Sequence, residues 1–436
     1  MKPASVSIII PVFNKCDLTV QCLQALAEVT NHIPHEVIVV DNASTDATPN
    51  RMRELGGKIR YLRNQQNAGF ARACNQGAAA ATSNLLLFLN NDTIPLQGWL
   101  DALMTELRTH PEVAAVGSKL LYENGLVQHA GVAYARETRS PFHPYRLLRS
   151  DDPRVNHRRE MQAVTAACVL IRAKWFQQCG RFSEDYQNGY EDLDLCLNIR
   201  KQGGVIVYQP RSVLFHLESQ TPGRMKFDNE NRALFFQRWA DTLLSDEDAV
   251  YCEDGYRSLG RKPGDPEQVS LVRLNSESEQ AQWAVVAQTQ LLAAAGKLDE
   301  CAQQLAATEL WPNDAAVRRW AGALCHRFKL PAAARRHFEI SLEREDHAEV
   351  RIWLQAVTAE QPEWAMTLEK GRRGLQSGNV AAAKNNFETA LLQGAPARLA
   401  LPGLWQAATA SGATADAEQA AQALLALPRL DAVTAA

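Results

Sequence analysis

The feature that most constrains the fold is an unbroken apolar run, Leu85–Leu89, followed at once by Asn90, Asn91 and Asp92. Five consecutive large apolar residues are typical of a strand buried on both faces, as in a parallel sheet. Ligands of open α/β sheets bind outside the carboxyl ends of the strands, which is where this polar triplet lies. A carboxylate beside two amides suits a hard divalent cation, although Asn and Asp are equally favoured as ordinary turn residues.

The first half of the chain alternates strand-like and helix-like segments. Strand patterns at Val6–Ile10 and Glu36–Val40 are each followed by apolar residues at helical spacing, and the alternation continues up to Leu85. This succession predicts an α/β domain whose parallel sheet is covered by helices on both faces. The stretch Glu137–Glu160 is rich in Pro and Arg and predicts a long polar loop, either a lid over the site or a solvated insertion.

From about Ser276 the composition shifts to Ala, Leu, Gln, Arg and Glu, with almost no strand signal. A short phrase recurs there, a small turn followed by Ala at helical spacing. Leu298 and Leu330 occupy equivalent positions 32 residues apart (330 − 298), and Val380 and Thr414 lie 34 apart (414 − 380). Both intervals are near the ~34-residue tetratricopeptide period. The pattern predicts tetratricopeptide-like helix pairs, with a helical bundle that is not a solenoid as the alternative. The expected bounds are 1–245 for the α/β domain, 246–275 for a linker and 276–436 for the helical domain.

Composition and charge exclude several classes of function. A net charge of -3 over 436 residues gives no electrostatic basis for a nucleic-acid partner. The nine cysteines include no CxxC pair, which favours a reducing cytoplasm over a disulfide framework or a zinc site. Met1–Ser5 leads directly into a strand, and no apolar run approaches the ~20 residues of a bilayer span. We therefore expect a cytoplasmic protein without a signal peptide or a transmembrane segment.

Residues after the first two predicted strands are candidates for binding a nucleotide. Pro11-Val12-Phe13-Asn14 follows the first strand, and neither GxGxxG nor GxxxxGK[ST] is present. Their absence argues against a dinucleotide-binding oxidoreductase and a P-loop enzyme. Asp41 ends the second strand, where its carboxylate could accept hydrogen bonds from a base or a ribose. Alternatively, the Asp and Ser/Thr residues of this turn only cap the helix that follows.

Four motifs in one order resemble the family-2 inverting glycosyltransferases of GT-A fold, and most closely the rhamnosyltransferase-like branch. The motifs are Ile8–Asn14, Val39–Asp46, Asn67–Ala71 and Leu89–Thr93, and the match in order and spacing runs from about Val6 to about Trp239. The resemblance implies an α/β GT-A (nucleotide-diphospho-sugar transferase) domain. It also implies a donor such as a UDP- or dTDP-sugar and a divalent metal, Mn²⁺ or Mg²⁺.

The resemblance implies roles for individual residues of the donor and metal sites. The family's Asp-x-Asp metal motif is Asn90-Asn91-Asp92 here, so the first acid is an amide and Asp92 becomes the main metal ligand with Asn90 beside it. His216 matches a histidine that completes the metal site in some relatives, although a lone histidine after an apolar run is often a packed polar residue. The donor-binding residues implied are Pro11, Phe13, Asn14, Asp41, Asn67, Gly69, Phe70 and Asn91.

The implied catalytic residues lie in the segment Gly189–Asp194. An inverting transfer needs one carboxylate to take the proton of the acceptor as it attacks the anomeric carbon. Asp192 matches the family's base, and Glu191 would orient it or bind the acceptor. Alternatively, these acids only favour the positive N-terminal end of the following helix. His129 also recurs in this branch, but the sequence gives it no physical role.

The sequence thus predicts an inverting, metal-dependent hexosyltransferase that acts on a protein, peptide or glycan acceptor. Helical repeats form extended concave surfaces, so we expect the second half to dock a protein acceptor or to pair two subunits as a homodimer. One alternative is a catalytically degenerate transferase domain that serves as a binding or scaffold protein through its helical repeats. A nucleotidyltransferase is disfavoured because no basic glycine-rich loop follows the first strand.

Overall fold

The computed structural model describes residues 5–217, 227–262, 265–360, 363–392, 395 and 397–425. The chain divides into two compact units, Met1–Gly296 and Lys297–Ala436. The first unit is α/β, and the described part of the second is all-helical. Among the described residues, no helix combines the length and apolarity that crossing a bilayer requires.

The first unit contains fourteen strands and nine α-helices within its described residues. The strands are β1 (Val6–Val12), β2 (His35–Asp41), β3 (Arg60–Arg63), β4 (Leu85–Leu89), β5 (Thr93–Pro95), β6 (Val113–Leu121), β7 (Val127–His129), β8 (Ala133–Tyr134), β9 (Pro141–Phe142), β10 (Arg159–Glu160), β11 (Cys168–Arg172), β12 (Val205–His216), β13 (Tyr256–Lys262) and β14 (Asp265–Arg273). The helices are α1 (Cys16–Thr30), α2 (Thr48–Glu54), α3 (Phe70–Ala80), α4 (Trp99–Thr109), α5 (Ala173–Gln178), α6 (Glu191–Lys201), α7 (Asp228–Trp239), α8 (Glu247–Glu253) and α9 (Glu277–Ala294).

The main sheet has the order β10-β12-β6-β11-β4-β1-β2-β3, with β5 beside β12 and β7 beside β6. Strands β4, β1, β2 and β3 run parallel, as the alternation of strands and helices predicted. Beyond these four strands the sheet is mixed, because β11 is antiparallel to both β4 and β6.

The apolar run of β4 is buried on both faces of the sheet. Successive side chains of a strand point to opposite faces, so Leu87 and Leu89 pack in the same cluster as Trp99, while Leu86 and Phe88 belong to the cluster on the other face. Burial on both sides explains why no polar residue interrupts the run. It also fixes the position at which the polar triplet leaves the sheet.

The stretch Glu137–Glu160, predicted as a polar loop, is part of the first unit and contains β9 and β10. Its polar residues are fastened by specific hydrogen bonds. Lys119 Nζ donates to the carbonyl oxygen of Ser150 at 3.2 Å and to Asn156 Oδ1 at 2.6 Å. Arg159 is 4% exposed and donates to Asp254 at 2.7 Å. The stretch is therefore not a solvated insertion, because its charges have partners inside the fold.

The segment predicted as a linker, 246–275, contains α8, β13 and β14, and its residues 263–264 lie outside the described residues. Its acidic start is buried because the carboxylates have donors. Asp246 Oδ1 accepts from the Tyr134 N–H at 2.7 Å, and Asp248 accepts from Arg136 at 2.8 Å and from Gln290 at 2.8 Å. Gln290 lies on α9, which explains why the compact units divide after Gly296 rather than near residue 276. The bounds of the functional domains stay a prediction.

The second unit is all-helical over its described residues, as predicted. Each recurring phrase of the sequence marks a turn with positive φ, at Gly296 (72°), Lys329 (58°), Gly378 (74°) and Gly412 (73°), directly before a helix. Residues 426–436 of the predicted helical domain lie outside the described residues. The helices are α10 (Leu298–Ala306), α11 (Ala315–Arg327), α12 (Pro331–Arg344), α13 (Ala348–Glu360), α14 (Glu363–Gln376), α15 (Val380–Leu392), α16 (Ala397–Ala410) and α17 (Thr414–Leu425).

Small residues allow helices of the second unit to pack closely. A Cβ added at Gly322 of α11 would lie 2.4 Å from the ring of Phe338 on α12. Helix α14 contacts α15, and α16 contacts α17, with Phe387 of α15 buried. Pairs of adjacent helices are therefore present, while the assignment to a tetratricopeptide-like array stays a prediction.

Candidate functional site

The polar triplet lies where β4 leaves the sheet, and backbone hydrogen bonds fix it on two sides. Asn90 N–H donates to the carbonyl oxygen of Ala167 at 2.9 Å, and the carbonyl oxygen of Asp92 accepts from Leu217 N–H at 2.9 Å. Strand β5 pairs with the end of β12, which places Thr93 opposite His216. The turn after β4 is therefore held beside the end of β12.

This pairing brings the three predicted metal ligands together. His216 Nε2 lies 3.3 Å from Asp92 Oδ1 and 3.2 Å from Asn90 Nδ2. The side chain of His216 is 5% exposed and that of Asp92 is 14% exposed. Asn91, predicted as a donor-binding residue, donates through its Nδ2 to Thr19 Oγ1 on α1 at 2.9 Å. Its amide therefore also anchors the turn to the first helix.

The chemistry of these ligands fits a divalent cation that is shared with a substrate. The carboxylate of Asp92 and the imidazole nitrogen of His216 are acceptable donors for Mn²⁺, whereas Asn90 faces His216 with its amide nitrogen and could ligate only through its oxygen. Within the described ranges, no three His, Cys, Asp or Glu side chains are grouped as a site made by the protein alone would require. Cations held by one carboxylate commonly complete their coordination with substrate phosphates and water.

Asp41 lies at the end of β2, as predicted, and is fully buried. Its Oδ1 accepts from the Ser44 N–H at 2.7 Å, and its Oδ2 accepts from the Tyr61 hydroxyl at 2.5 Å. Arg63 Nη1 is 3.6 Å from the same carboxylate. Burial, together with the hydrogen bond to Asp41, raises the pKa of Tyr61 to about 12, so the phenol stays neutral and donates. Both oxygens of Asp41 thus already accept hydrogen bonds from protein groups.

The exit of β1 provides the wall beside Asp41. Pro11 is buried inside β1, whereas Phe13 is 37% exposed immediately after the strand. Asn14 Oδ1 accepts from the Thr45 N–H at 2.8 Å, and Asn14 N–H donates to Ser44 Oγ at 2.8 Å. These bonds join the exits of β1 and β2 and leave an aromatic ring at the edge where ligands of α/β sheets bind.

The segment Asn67–Phe70 lies between this wall and the predicted catalytic segment. Asn67 Oδ1 accepts from the Gly69 N–H at 3.0 Å, and Gly69 has a φ of 83°, which a side chain at this position would disfavour. The carbonyl oxygen of Gly69 accepts from Asn42 Nδ2 at 3.0 Å. Phe70 N–H donates to Asn188 Oδ1 at 3.2 Å. The segment is therefore bonded both to the end of β2 and to the turn before α6.

Three acids begin α6, but they differ in exposure and partners. Glu191 is buried, and its Oε2 accepts from the Gly189 N–H at 2.6 Å. Asp194 is buried and accepts from the Trp239 indole at 2.9 Å and from the Tyr186 hydroxyl at 3.1 Å. Asp192 alone among the three is half-buried. Exposure therefore singles out Asp192 as the acid that can reach a substrate.

Two adjacent residues, Ala166 and Ala167, link the Asp192 carboxylate to the turn after β4 through hydrogen bonds. Its Oδ2 accepts from the Ala166 N–H at 3.0 Å, and the neighbouring carbonyl of Ala167 accepts from the Asn90 N–H at 2.9 Å. Because Ala166, Ala167 and Asn90 take part through backbone atoms, no side-chain pattern could have indicated these contacts. Asn188 and Tyr61 were also missed, although a Tyr in the strand paired with β2 could have been recognised as a partner for Asp41.

His129, which had no role from the sequence, is buried beside this site. Its Nδ1 is 2.9 Å from His143 Nδ1, and its Nε2 has no hydrogen-bond partner within the described part of the chain. Burial lowers the pKa of His129 well below its ordinary value, so the ring is neutral. Its neighbour Gln128 contacts His216 directly.

Comparison with known proteins identifies the α/β region. The family model for glycosyl transferase family 2 matches residues 7–178. The chain carries a family-2 glycosyltransferase domain. This match confirms the family resemblance and, with the observed sheet, the predicted fold class of the first unit.

The transferase domain is similar to proteins from several bacteria. It is 34% identical over 223 residues to the O-antigen biosynthesis protein RfbC of Myxococcus xanthus, which covers 49% of this chain and 17% of that protein. It is 24% identical over 212 residues to an N-acetylglucosaminyl-diphospho-decaprenol L-rhamnosyltransferase of Mycobacterium tuberculosis, covering 44% of this chain and 69% of that protein. The chain thus spans less than a fifth of the length of RfbC.

Among solved structures, the fold is similar to that of GalNAc-T7 with UDP, GalNAc and Mn²⁺. The TM-score is 0.45 at 16% sequence identity, over 58% of this chain and 51% of that chain.

Proposed function

We propose that the transferase domain moves a sugar, with inversion, from a nucleotide-activated donor such as a UDP- or dTDP-sugar to an acceptor hydroxyl. The supporting observation is the connection through Ala166 and Ala167, which places the half-buried Asp192 next to the turn that carries Asp92 and Asn90. A transferase of this type needs a base and a site for the leaving diphosphate at one place.

The residues that would bind the donor lie along the exits of β1 to β4. Phe13 offers an exposed ring on which a base can stack, with Pro11 and Asn14 shaping the wall behind it. Asp41 would contribute through its remaining lone pairs, or by holding Tyr61 and Ser44 in place for the nucleotide. Asn67, Gly69 and Phe70 would line the path of the diphosphate-sugar.

Asp92, His216 and Asn90 would hold a divalent cation, Mn²⁺ or Mg²⁺. When bound, such a cation neutralises the charge that develops on the leaving diphosphate. The protein's own contribution is to fix these ligands, because the pairing of β5 with β12 aligns residues that are far apart in the chain. Asn91 supports the turn through its bond to Thr19.

In the proposed chemical step Asp192 is the general base. The acceptor oxygen bonds to the anomeric carbon while the bond from that carbon to the nucleoside diphosphate breaks, and the acceptor's proton passes to Asp192. The N–H groups of Ala166 and Leu193 orient the carboxylate, at 3.0 Å and 2.9 Å. Glu191 stabilises the turn before α6 through Gly189 and so keeps Asp192 in position.

Nucleotide release in the presence of a donor tests this proposal. Asp192→Asn keeps the shape and removes the base, so transfer should fall by ~10² or more while donor affinity changes little. Asp185→Asn alters an exposed acid nearby and serves as the matched control. Unaltered turnover of Asp192→Asn would mean that another residue is the base. If the wild-type chain neither hydrolyses nor transfers from any nucleotide-sugar, the alternative of a catalytically degenerate scaffold is favoured.

We further propose that the second unit docks a protein or glycan acceptor, or pairs two subunits as a homodimer. Exposed aromatic and aliphatic side chains support this, namely Ile352 (63% exposed), Trp353 (37%) and Trp405 (43%). Single exposed apolar residues are common on protein surfaces, but tryptophan as a residue type is enriched at protein interfaces. Two exposed tryptophans therefore support a binding role.

A shortened chain that ends at Gly296 tests the role of the second unit. The cut falls at the boundary between the compact units, and it keeps α9 in the same chain as its hydrogen-bond partner Asp248. The shortened chain should still hydrolyse the donor but lose transfer to its natural acceptor. Light scattering of both chains reports whether the second unit also pairs subunits. Identical acceptor kinetics in the shortened chain would rule out docking by the second unit.

A further inference from the structure

Gln128 makes two hydrogen bonds to a single residue, His216. It lies on β7 and is 5% exposed. Its Oε1 is 2.7 Å from His216 Nδ1, and its Nε2 is 3.4 Å from the carbonyl oxygen of His216. The short bond engages the imidazole, and the longer one engages the backbone of the same residue.

The two bonds together define which nitrogen of His216 carries the proton. A backbone carbonyl can only accept, so the amide nitrogen of Gln128 faces it and Oε1 faces the ring. Oε1 can only accept as well, so Nδ1 of His216 must be the donor. In a neutral imidazole with Nδ1 protonated, Nε2 has the free lone pair.

That lone pair points to the place where the predicted metal ligands meet. Nε2 is 3.2 Å from the amide nitrogen of Asn90, a donor that suits a lone pair, and 3.3 Å from Asp92 Oδ1. A carboxylate oxygen and an imidazole lone pair repel each other at this distance, and a divalent cation held by both residues would offset the repulsion. The arrangement therefore has the polarity of a cation site before any cation binds.

We propose that Gln128 is a positioning residue that holds His216 in the Nδ1–H tautomer, so that Nε2 is available to a divalent cation. This inference rests on the proposed function only for the metal. The tautomer follows from the hydrogen bonds alone. Partners behind a metal-binding histidine typically change metal affinity by about 10- to 100-fold when they are removed. In this proposal Gln128 acts on the cation through His216.

The experiment compares variants of the full chain with Mn²⁺ as the probe. Gln128→Met keeps the length and apolar packing of the side chain but removes both hydrogen bonds. Gln128→Glu keeps an acceptor for the His216 Nδ1–H. The matched control is Gln290→Met, because Gln290 is also buried but its side chain donates to Asp248 at 2.8 Å rather than to His216. Free Mn²⁺ is measured by electron paramagnetic resonance, without donor or acceptor.

We expect the Mn²⁺ dissociation constant of Gln128→Met to rise by about 10- to 100-fold, with Gln128→Glu and Gln290→Met within roughly threefold of the wild-type chain. A second readout needs no metal. In ¹⁵N-histidine NMR spectra, His216, assigned from the signals lost in His216→Asn, should be the Nδ1–H tautomer in the wild-type chain. In Gln128→Met it should become a mixture of tautomers.

The outcomes separate this inference from the proposed function. Equal Mn²⁺ affinity in Gln128→Met and the wild-type chain, with a folded variant, would overturn the inference and leave the metal proposal intact. A wild-type His216 protonated on Nε2 would overturn it as well. A wild-type chain with the Nδ1–H tautomer but no Mn²⁺ binding would overturn both the metal role of Gln128 and the metal-dependent proposed function.

Discussion

The buried carboxyl of Asp246 allows a quantitative test of the contacts made by the segment predicted as a linker. The residue is 5% exposed, and its Oδ1 accepts from the Tyr134 N–H at 2.7 Å. Burial raises the pKa of this carboxyl from 3.8 to about 6, against the opposing effect of its hydrogen bonds. In the unfolded chain the same group titrates near its ordinary value of about 3.9.

The folded chain therefore binds this proton more tightly than the unfolded chain. Asp246 stabilises the fold fully below about pH 4, and its contribution is lost as the pH rises through about 6. A difference of roughly 2 pKa units, at about 1.4 kcal/mol each, corresponds to about 3 kcal/mol. Asp246→Asn abolishes the titration but keeps an acceptor for Tyr134. The free energy of unfolding of the variant, relative to the wild-type chain, should rise by about 3 kcal/mol between about pH 4 and about pH 7.

Hydrogen exchange of peptides that contain Tyr134, corrected for the intrinsic exchange rate at each pH, measures this difference in the intact chain. Such a local measurement is needed because a chain of two compact units need not unfold in one step. Asp241→Asn, which alters an exposed acid five positions earlier, is the control and should show the wild-type pH dependence. Parallel pH profiles for Asp246→Asn and the wild-type chain would refute the reasoning that burial holds this carboxyl in its neutral form up to about pH 6.

Three further changes test other parts of the structure. Asp92→Ala should abolish transfer without loss of fold, and a chelator should do the same to the wild-type chain, both measured by nucleotide release; full activity in either case would exclude a metal-dependent transferase. Tyr61→Phe removes a hydrogen bond to the buried Asp41 and should weaken nucleotide binding in calorimetry several-fold more than Tyr122→Phe, since Tyr122 bonds Arg146 elsewhere. Gly322→Ala should lower the free energy of unfolding of the second unit by about 1–2 kcal/mol, because crowding against Phe338 outweighs the gain in helix propensity; an unchanged denaturation midpoint would contradict this.

Local patterns predicted the elements of the transferase domain better than their pairing. The apolar run of β4 and the helical spacing of α3 and α6 are visible because burial on two faces or on one stripe leaves a periodic signal. The direction of β11 has no such signal, since a buried antiparallel strand and a buried parallel strand have the same composition. The burial of the acidic start of α8 has no sequence signal for a related reason. Charged residues are usually solvated, and only the structure shows that Arg136 and Gln290 lie opposite them.

The end of β12 illustrates the same limit. Strand-like residues in the sequence form two separate extended pieces, Val205–Tyr208 and Ser212–His216, whereas the structure has a single strand with a register shift between Gln209 and Val213. Pro210 lies inside this irregularity and cannot donate to a neighbouring strand. The local sequence therefore marked the break correctly but not the continuity across it.

That continuity is what assembles the candidate metal site. Past the register shift, β12 stays beside β6 and also pairs with β5, which sets His216 opposite Thr93 and next to Asp92. The same strand end lies within reach of Gln128, because β7 pairs with β6 on the other side. Residues from three separate strands thus meet only because β6 and β12 hold their neighbours in register. A substitution that moved this register by one residue would turn His216 to the opposite face of the sheet, away from Asp92. The proximity of the candidate metal ligands is therefore a property of the sheet as much as of the motif, which is why local sequence patterns alone could not predict it.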